Sequence, residues 1–460
     1  MFSLLRFYLI LSGVCLVSVL PSQAASYVYI SLGGEKKIAI YQQNEVDGKL
    51  THLSDVKVPG APGCLEVDPE KKYLFASIRS AKEFMSFSIN PENGALKLIS
   101  AVPAGGNAAY IATDRKGRYL LSAYYGEGKV AVHRLKKDGT ILPEILQTIP
   151  TDKNAHAILP DQSNRYVFVP HTGPNAVYQF LWNEAEGKLK ANEQSIFEAA
   201  PEMEPRHLAV SKDNRFIYFD NEKGSSVTAC KLDSESGTLK AFQTISTLPA
   251  DFEGKNTCAD IELSPSGKNL YASNRGHDSI ACFAVDPQTG KLKSLGQAAT
   301  EKTPRSFNID PEGHFLYAAG QNNGKLAAYR IDSQSGKLTR IATYEEQVPL
   351  QISSDNKSSD ESQGKVNITR GPSRQTGPAY QRMSVSQRLI QQRAFLQAKQ
   401  RMERIAARKA MGITPGRPTV NINVSPIPTF AQIMQESSGF YFDPYHYYGY
   451  WYGAPGYVFP

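Results

Sequence analysis

Several residues scattered along most of this chain carry side chains suited to acid–base and anion chemistry. His156, Arg206, His207, Asp260 and Arg305 each stand just before a short apolar run. Arg79, Tyr124, His171, Glu222, Arg275 and Gln321 each stand at or just after the end of the next run. An imidazole can take or give a proton near neutral pH. A carboxylate can orient it or serve as base, and a guanidinium grips a planar oxyanion with two parallel donors. Turn positions of this kind would ordinarily hold Asn, Asp or Gly. No Gly-x-Ser-x-Gly elbow is present, so a serine nucleophile is not expected. No CxxC or Cys/His spacing suggests a metal, and no cofactor motif is found.

Such residues act together only if a fold gathers them. Turn signals recur at Asp68, Asp114, Asp161, Ser211, Ser264 and Asp310, at intervals of 46, 47, 50, 53 and 46 residues. Each is followed by an apolar run: Tyr73–Ala76, Tyr119–Ala123, Tyr166–Val169, Phe216–Phe219, Leu270–Ser273 and Phe315–Ala319. Gly94, Gly187, Gly237 and Gly290 precede a further short run in their units. The clearest unit, Thr303 to Ile341, reads as four short antiparallel strands. Four strands per ~45 residues is the pattern of a β-propeller blade. The expected fold is all-β, a seven-bladed propeller over residues 25–352. Residues 27–58 supply only three strands, Tyr27–Ser31, Lys37–Gln42 and Leu50–Lys57. Val348–Ile352 is the candidate for the fourth, closing the ring by pairing the chain ends.

In an antiparallel blade the start of strand one and the end of strand two lie at the same end. The residues named above therefore gather around one mouth of the central channel. Alternation from Arg206 turns His207 to the opposite face, which reads as a structural position.

The run Pro205–Val210 (PRHLAV) with Asn221-Glu222, the run Asn274–Ala281 (NRGHDSIA), the run Thr303–Asp310 (TPRSFNID) and Tyr317–Gln321 (YAAGQ) resemble the bacterial seven-bladed lactonase family. That family includes propeller-type 6-phosphogluconolactonases and muconate-lactonising propellers. The resemblance covers about residues 27–350 and is most specific in the last three blades. It implies hydrolysis of a sugar lactone, with His156, Glu222, Arg206 and Arg275 as the catalytic set. His156 would be general base and acid, oriented by Glu222, with Arg206 and Arg275 on the oxyanion or an anionic group. Arg305, Arg79, Tyr124 and Gln321 would bind the substrate, a small-molecule lactone.

The ends of the chain differ in character. Residues 1–24 read as a secretory signal: Arg6, the apolar run Phe7–Leu20 and the small-residue site Ser22-Gln23-Ala24. An exported protein, periplasmic or extracellular, is expected. Export permits disulfides, but the spacing of Cys64, Cys230, Cys258 and Cys282 suggests free buried thiols instead. Residues 353–378 read as a polar linker and residues 379–411 as a basic helix. Residues 412–460 read as a Pro/Tyr-rich tail of low complexity. Much of the +7 net charge falls in this C-terminal part. It suits contact with the cell envelope or an anionic surface; no nucleic-acid motif is present.

A phosphorylated sugar lactone is cytosolic, and this chain reads as exported. An unphosphorylated aldonolactone is therefore one expectation. A non-catalytic propeller that binds anionic glycan or envelope protein is a second, and a carboxymuconate-type lactonising isomerase a third.

Overall fold

The structure, a computed structural model, describes residues 26–345. The leader, the closing-strand candidate, the linker, the basic helix and the tail all lie outside these residues. Within them, 27 strands form one three-stranded and six four-stranded antiparallel sheets, each continuous in sequence. They are the blades of a propeller: residues 26–57, 62–103, 110–150, 159–198, 205–246, 257–299 and 304–344. First strands touch between blades two and three, five and six, and six and seven. The first strand of each complete blade thus faces the central channel, and the fourth lies at the rim.

The recurring turn residue has a local physical task. Asp68 Oδ1 accepts the backbone N–H of Lys72 and of Tyr73, both at 2.6 Å. Asp310 does the same for His314 and Phe315, at 2.6 and 2.7 Å. Where the residue is serine, the hydroxyl substitutes: Ser264 Oγ accepts from Asn269 N at 3.1 Å. An Asp or Ser side chain here satisfies donors that the tight turn leaves unpaired.

A second recurring contact joins blade to blade. The glycine before the fourth strand packs on a residue at the start of the second strand of the preceding blade. Gly290 meets Phe216 this way, Gly139 meets Tyr73, and Gly94 meets Tyr27. The ring is closed by the same joint, because Gly48 of the first blade lies on Phe315 of the last. Tyr317 Oη also donates to Gly48 O at 2.8 Å. Leu32, Ala39, Tyr41 and Leu50 share a core with Phe315, Tyr317, Leu326 and Ala328. Gly290 sits at φ +70°, and a Cβ there would lie 2.5 Å from Phe216 Cδ1. The Arg215 guanidinium covers the same ring, 5.0 Å from its centroid. Gly290→Ala should therefore lower unfolding stability by about 2–3 kcal/mol, combining left-handed backbone strain with a clash. Denaturant unfolding at fixed pH checks this.

The first blade shows which strand it lacks among the described residues. Lys36 (φ 52°) ends its first hairpin as Lys82 (φ 55°) ends the hairpin of strands two and three in the next blade. Val58 N donates to Lys36 O just as Ala104 N donates to Lys82 O, at 2.9 and 2.8 Å. Ser26–Leu32 is therefore a second strand, and the position not filled is the inner one. This explains why Val28 and Ile30 are only half-buried, whereas the second strands Tyr119–Tyr124 and Phe216–Asn221 are buried throughout.

The four cysteines in the described residues are free thiols, as expected; Cys230, Cys258 and Cys282 are buried.

Candidate active site

The inner strand of the fifth blade, Pro205–Val210, does not pair regularly. Its register with Phe216–Asn221 shifts between Pro205 and Leu208. The same irregularity opens the inner strands of blades two, six and seven. A bulge inserts a residue and breaks the alternation of side chains. Arg206 and His207, though consecutive, both line the central cavity. The expectation that His207 faces away is corrected on this ground.

From these two residues a continuous polar chain runs in both directions. Arg206 is 1% exposed, and its Nε lies 3.2 Å from Glu222 Oε2. The other oxygen of Glu222 accepts from Arg275 Nη2 at 2.9 Å. Arg275 Nη2 also donates to Cys258 O at 2.9 Å. On the other side Arg206 Nη1 lies 3.2 Å from His207 Nε2, and His207 Nδ1 lies 2.8 Å from Asp260 Oδ1. A guanidinium offers only donors, so the network assigns the lone pair to Nε2 and the proton to Nδ1. Asp260 is anchored in turn: Phe307 N donates to its Oδ2 at 3.1 Å, and its own N–H donates to Ser273 Oγ at 3.0 Å. Beneath them Asp220 Oδ1 accepts His207 N at 2.6 Å. Burial raises the Asp220 carboxyl above its usual range, against the lowering pull of His207 and Arg206.

His156 comes from an irregular segment, because the inner strand of its blade is only Leu159–Pro160. Pro160 can give no ladder hydrogen bond. His156 N donates to Pro170 O at 3.0 Å, and Asn154 N ties the segment to Tyr125 O at 2.7 Å. The His156 ring stands edge-on to Tyr125 and to His207, with centroids 5.4 and 5.0 Å away. Arg79 and Arg305 line the same cavity, and Arg79 Nε donates to Asn107 Oδ1 at 2.9 Å.

Thus the structure brings together Arg206, Glu222 and Arg275, and it sets His156, Arg79 and Arg305 around one cavity with Arg206. The pairing expected of Glu222 differs. Its two oxygens go to the two arginines, and it is Asp260 that holds an imidazole, that of His207.

Tyr124 is not at the cavity. It is fully buried in the core, its hydroxyl donating to Ala104 O and its ring under the Lys129 ammonium. His171 is likewise buried, between Val169 O and Thr151 Oγ1. Gln321, whose N–H donates to Thr303 O at 2.9 Å, does not line the cavity either. Counting from the turn residue explains the two buried cases. Arg79, Glu222 and Arg275 each stand eleven residues after it, where Tyr125 and Thr172 stand in their blades. Tyr124 and His171 come one residue earlier and turn into the packing between sheets. A fixed count would have selected Tyr125.

The cavity and the strands around it also hold carboxyls that turn residues alone do not reveal. Glu262 lines the cavity with Tyr110 and Cys64. Its carboxyl is pushed up to about 8, first by burial and then by the charges of Asp260 and Glu66. Burial pushes Glu66 up to about 7, although Thr113 N and Oγ1 both donate to it, at 2.9 and 3.0 Å.

Fold and site together define a propeller whose channel carries arginines braced by carboxylates. Residues 24–352 match the model of the lactonase family with a 7-bladed β-propeller. The chain belongs to that family of lactone-opening ester hydrolases. It is 32% identical over 282 residues to a 6-phosphogluconolactonase of Enterobacter sp. (strain 638), covering 61% of this chain and 84% of that one. It is 33% identical over 266 residues to the Klebsiella pneumoniae (strain 342) 6-phosphogluconolactonase, covering 58% and 79%. The solved periplasmic gluconolactonase of Pseudomonas aeruginosa superposes with a TM-score of 0.65 at 27% identity, over 71% of this chain and 98% of that one.

Proposed function

We propose that this chain is an exported lactonase that opens an aldonolactone ring in the periplasm or outside the cell. The observation that carries the reading is the Arg206–Glu222–Arg275 cluster beside a cavity that also presents His156, Arg79 and Arg305. Water adds to the ester carbonyl, the C–O bond to the ring oxygen breaks, and a hydroxy acid results. The step needs a proton acceptor for the water, positive charge for the oxyanion and a proton for the leaving alkoxide. His156 is the base and then the acid. Arg206, fixed from two sides, presents its remaining N–H groups to the oxyanion. Arg275 acts through Glu222, which keeps the two guanidiniums in register. Arg79 and Arg305 hold the hydroxyl-rich or anionic end of the substrate. The apolar run Phe7–Leu20 and the periplasmic relative support export.

The test is a lactone panel: gluconolactone, its 6-phosphate and a muconolactone, with wild type, Glu222→Gln and His156→Ala. Wild type should exceed buffer on the plain sugar lactone, and each variant should lose at least about tenfold. Identical buffer-level rates for all three proteins would instead point to an anion-binding propeller without catalysis. That alternative draws on the way Glu222 already occupies one edge of both arginines.

A further inference from the structure

We propose that the Asp260–His207 pair is a positioning device that fixes the Arg206 fork by presenting it an imidazole lone pair. This rests on the lactonase reading for its kinetic consequence, though not for its geometry. Arg206 is bracketed: Glu222 Oε2 lies 3.2 Å from Nε, and His207 Nε2 lies 3.2 Å from Nη1. A guanidinium held by one carboxylate can still pivot about that contact; a second acceptor at a different nitrogen removes the freedom. In the proposed reaction Nη2 and the second hydrogen of Nη1 would be the donors to the developing oxyanion.

For His207 to serve, its Nε2 must stay unprotonated. A proton there would turn an acceptor into a donor facing another donor, with two positive charges in contact. The surroundings enforce the needed tautomer. Asp260 takes the Nδ1 proton at 2.8 Å. Asp260 cannot swing away, because Phe307 N from the next blade holds its other oxygen at 3.1 Å. The ring plane is set by edge-on contacts with Tyr110 and His156, at 5.2 and 5.0 Å. The backbone of His207 is held by Asp220 at 2.6 Å. The charged or titratable groups around the ring are therefore Asp260, Asp220, Arg206, His156 and Tyr110. A histidine kept only to fill space would need none of this, and five successive blades would not have to contribute to it.

The test uses full-length protein with ¹⁵N-labelled histidine. The imidazole signals absent from His207→Gln belong to His207. They should show a protonated Nδ1 and an unprotonated Nε2 at neutral pH; the reverse tautomer overturns the proposal, whatever the enzyme does. In kinetics, His207→Phe keeps the ring shape but removes the acceptor. It should lower kcat by about 10²-fold with little change in KM, since a misplaced donor costs transition-state stabilisation more than binding. His207→Gln, whose amide oxygen can accept from Arg206, should recover at least about tenfold of that loss. Equal kcat for His207→Phe and wild type overturns the proposal. A wild type without lactonase activity overturns the proposed function, and the tautomer measurement then still decides the present inference.

Discussion

Replacing Arg206 by methionine should lower kcat/KM for a gluconolactone-type substrate by about 10²–10³-fold, the effect typical of losing a principal oxyanion donor. Methionine is chosen because Arg206 is 1% exposed, so its aliphatic stem lies in the packed interior. A shorter residue would leave a cavity as well as remove a charge. The loss should fall mostly on kcat, because the charge that Arg206 meets develops only as water adds. Glu222 keeps Arg275 as a partner at 2.9 Å in the variant, so its carboxylate is not stranded. The variant should accordingly fold, and circular dichroism and the unfolding midpoint check that separately from the rate. Arg305→Met, at the cavity wall, should raise KM more than it lowers kcat. If Arg206→Met turns over the sugar lactone like wild type, Arg206 is a clamp between blades and the site lies elsewhere.

Stability should pass through a maximum near pH 6, with losses on both sides of different origin. On the acid side, burial pushes the imidazoles of His133 and His171 down to about 4. The unfolded chain protonates them at about 6.5. Between these values the unfolded state binds protons that the folded state refuses, so stability falls as pH falls from ~6.5 towards ~4. Both rings are fully buried; the linkage relation gives on the order of 3 kcal/mol for each if the whole window is crossed.

On the alkaline side Glu262 and Glu66 are raised to about 8 and about 7. Here the folded state holds protons that the unfolded state has released, so stability falls as pH rises from ~4.5 through these values. Glu262 is only half-buried by exposure, and its contribution should be about 1–2 kcal/mol, below the full linkage figure. Urea unfolding at pH 4.5, 6 and 8 separates the limbs. Glu262→Gln should lift stability at pH 8 and leave pH 4.5 nearly unchanged. His171→Gln should flatten the acid limb and leave pH 8 nearly unchanged. Parallel curves for all three proteins would mean that these buried groups do not set the profile.

Much of this protein follows from sequence because a propeller is local. Each blade is one continuous segment, its strands are joined by short turns, and Asp or Ser at the turn satisfies the same donors every time. The count of blades, the strand limits and the end of each blade that carries charge could therefore be read directly. So could the gathering of Arg206, Glu222 and Arg275: Arg206 stands at the start of an inner strand, Glu222 and Arg275 at or just after the end of a second strand, and antiparallel pairing puts those ends together. The spacing also held information that strand-end reasoning passed over. Tyr124 and His171 lie one residue short of the position that carries Arg79, Glu222 and Arg275 in other blades, and period-two alternation sends them into the core.

Tertiary structure alone decided three matters. A bulge between Pro205 and Leu208 rotates His207 towards the channel, and no residue type in the PRH run announces a bulge. Asp260 meets His207, 53 residues earlier in the chain, only because their blades are neighbours. The raised carboxyls of Glu66 and Glu262 arise first from burial, to which Glu262 adds the charge of Asp260 on its own strand and that of Glu66 on another blade. A turn or a strand is dictated by residues a few positions apart and is written in the sequence. A proton's place on a ring, or a carboxyl's affinity for one, depends on what the closed ring sets beside it.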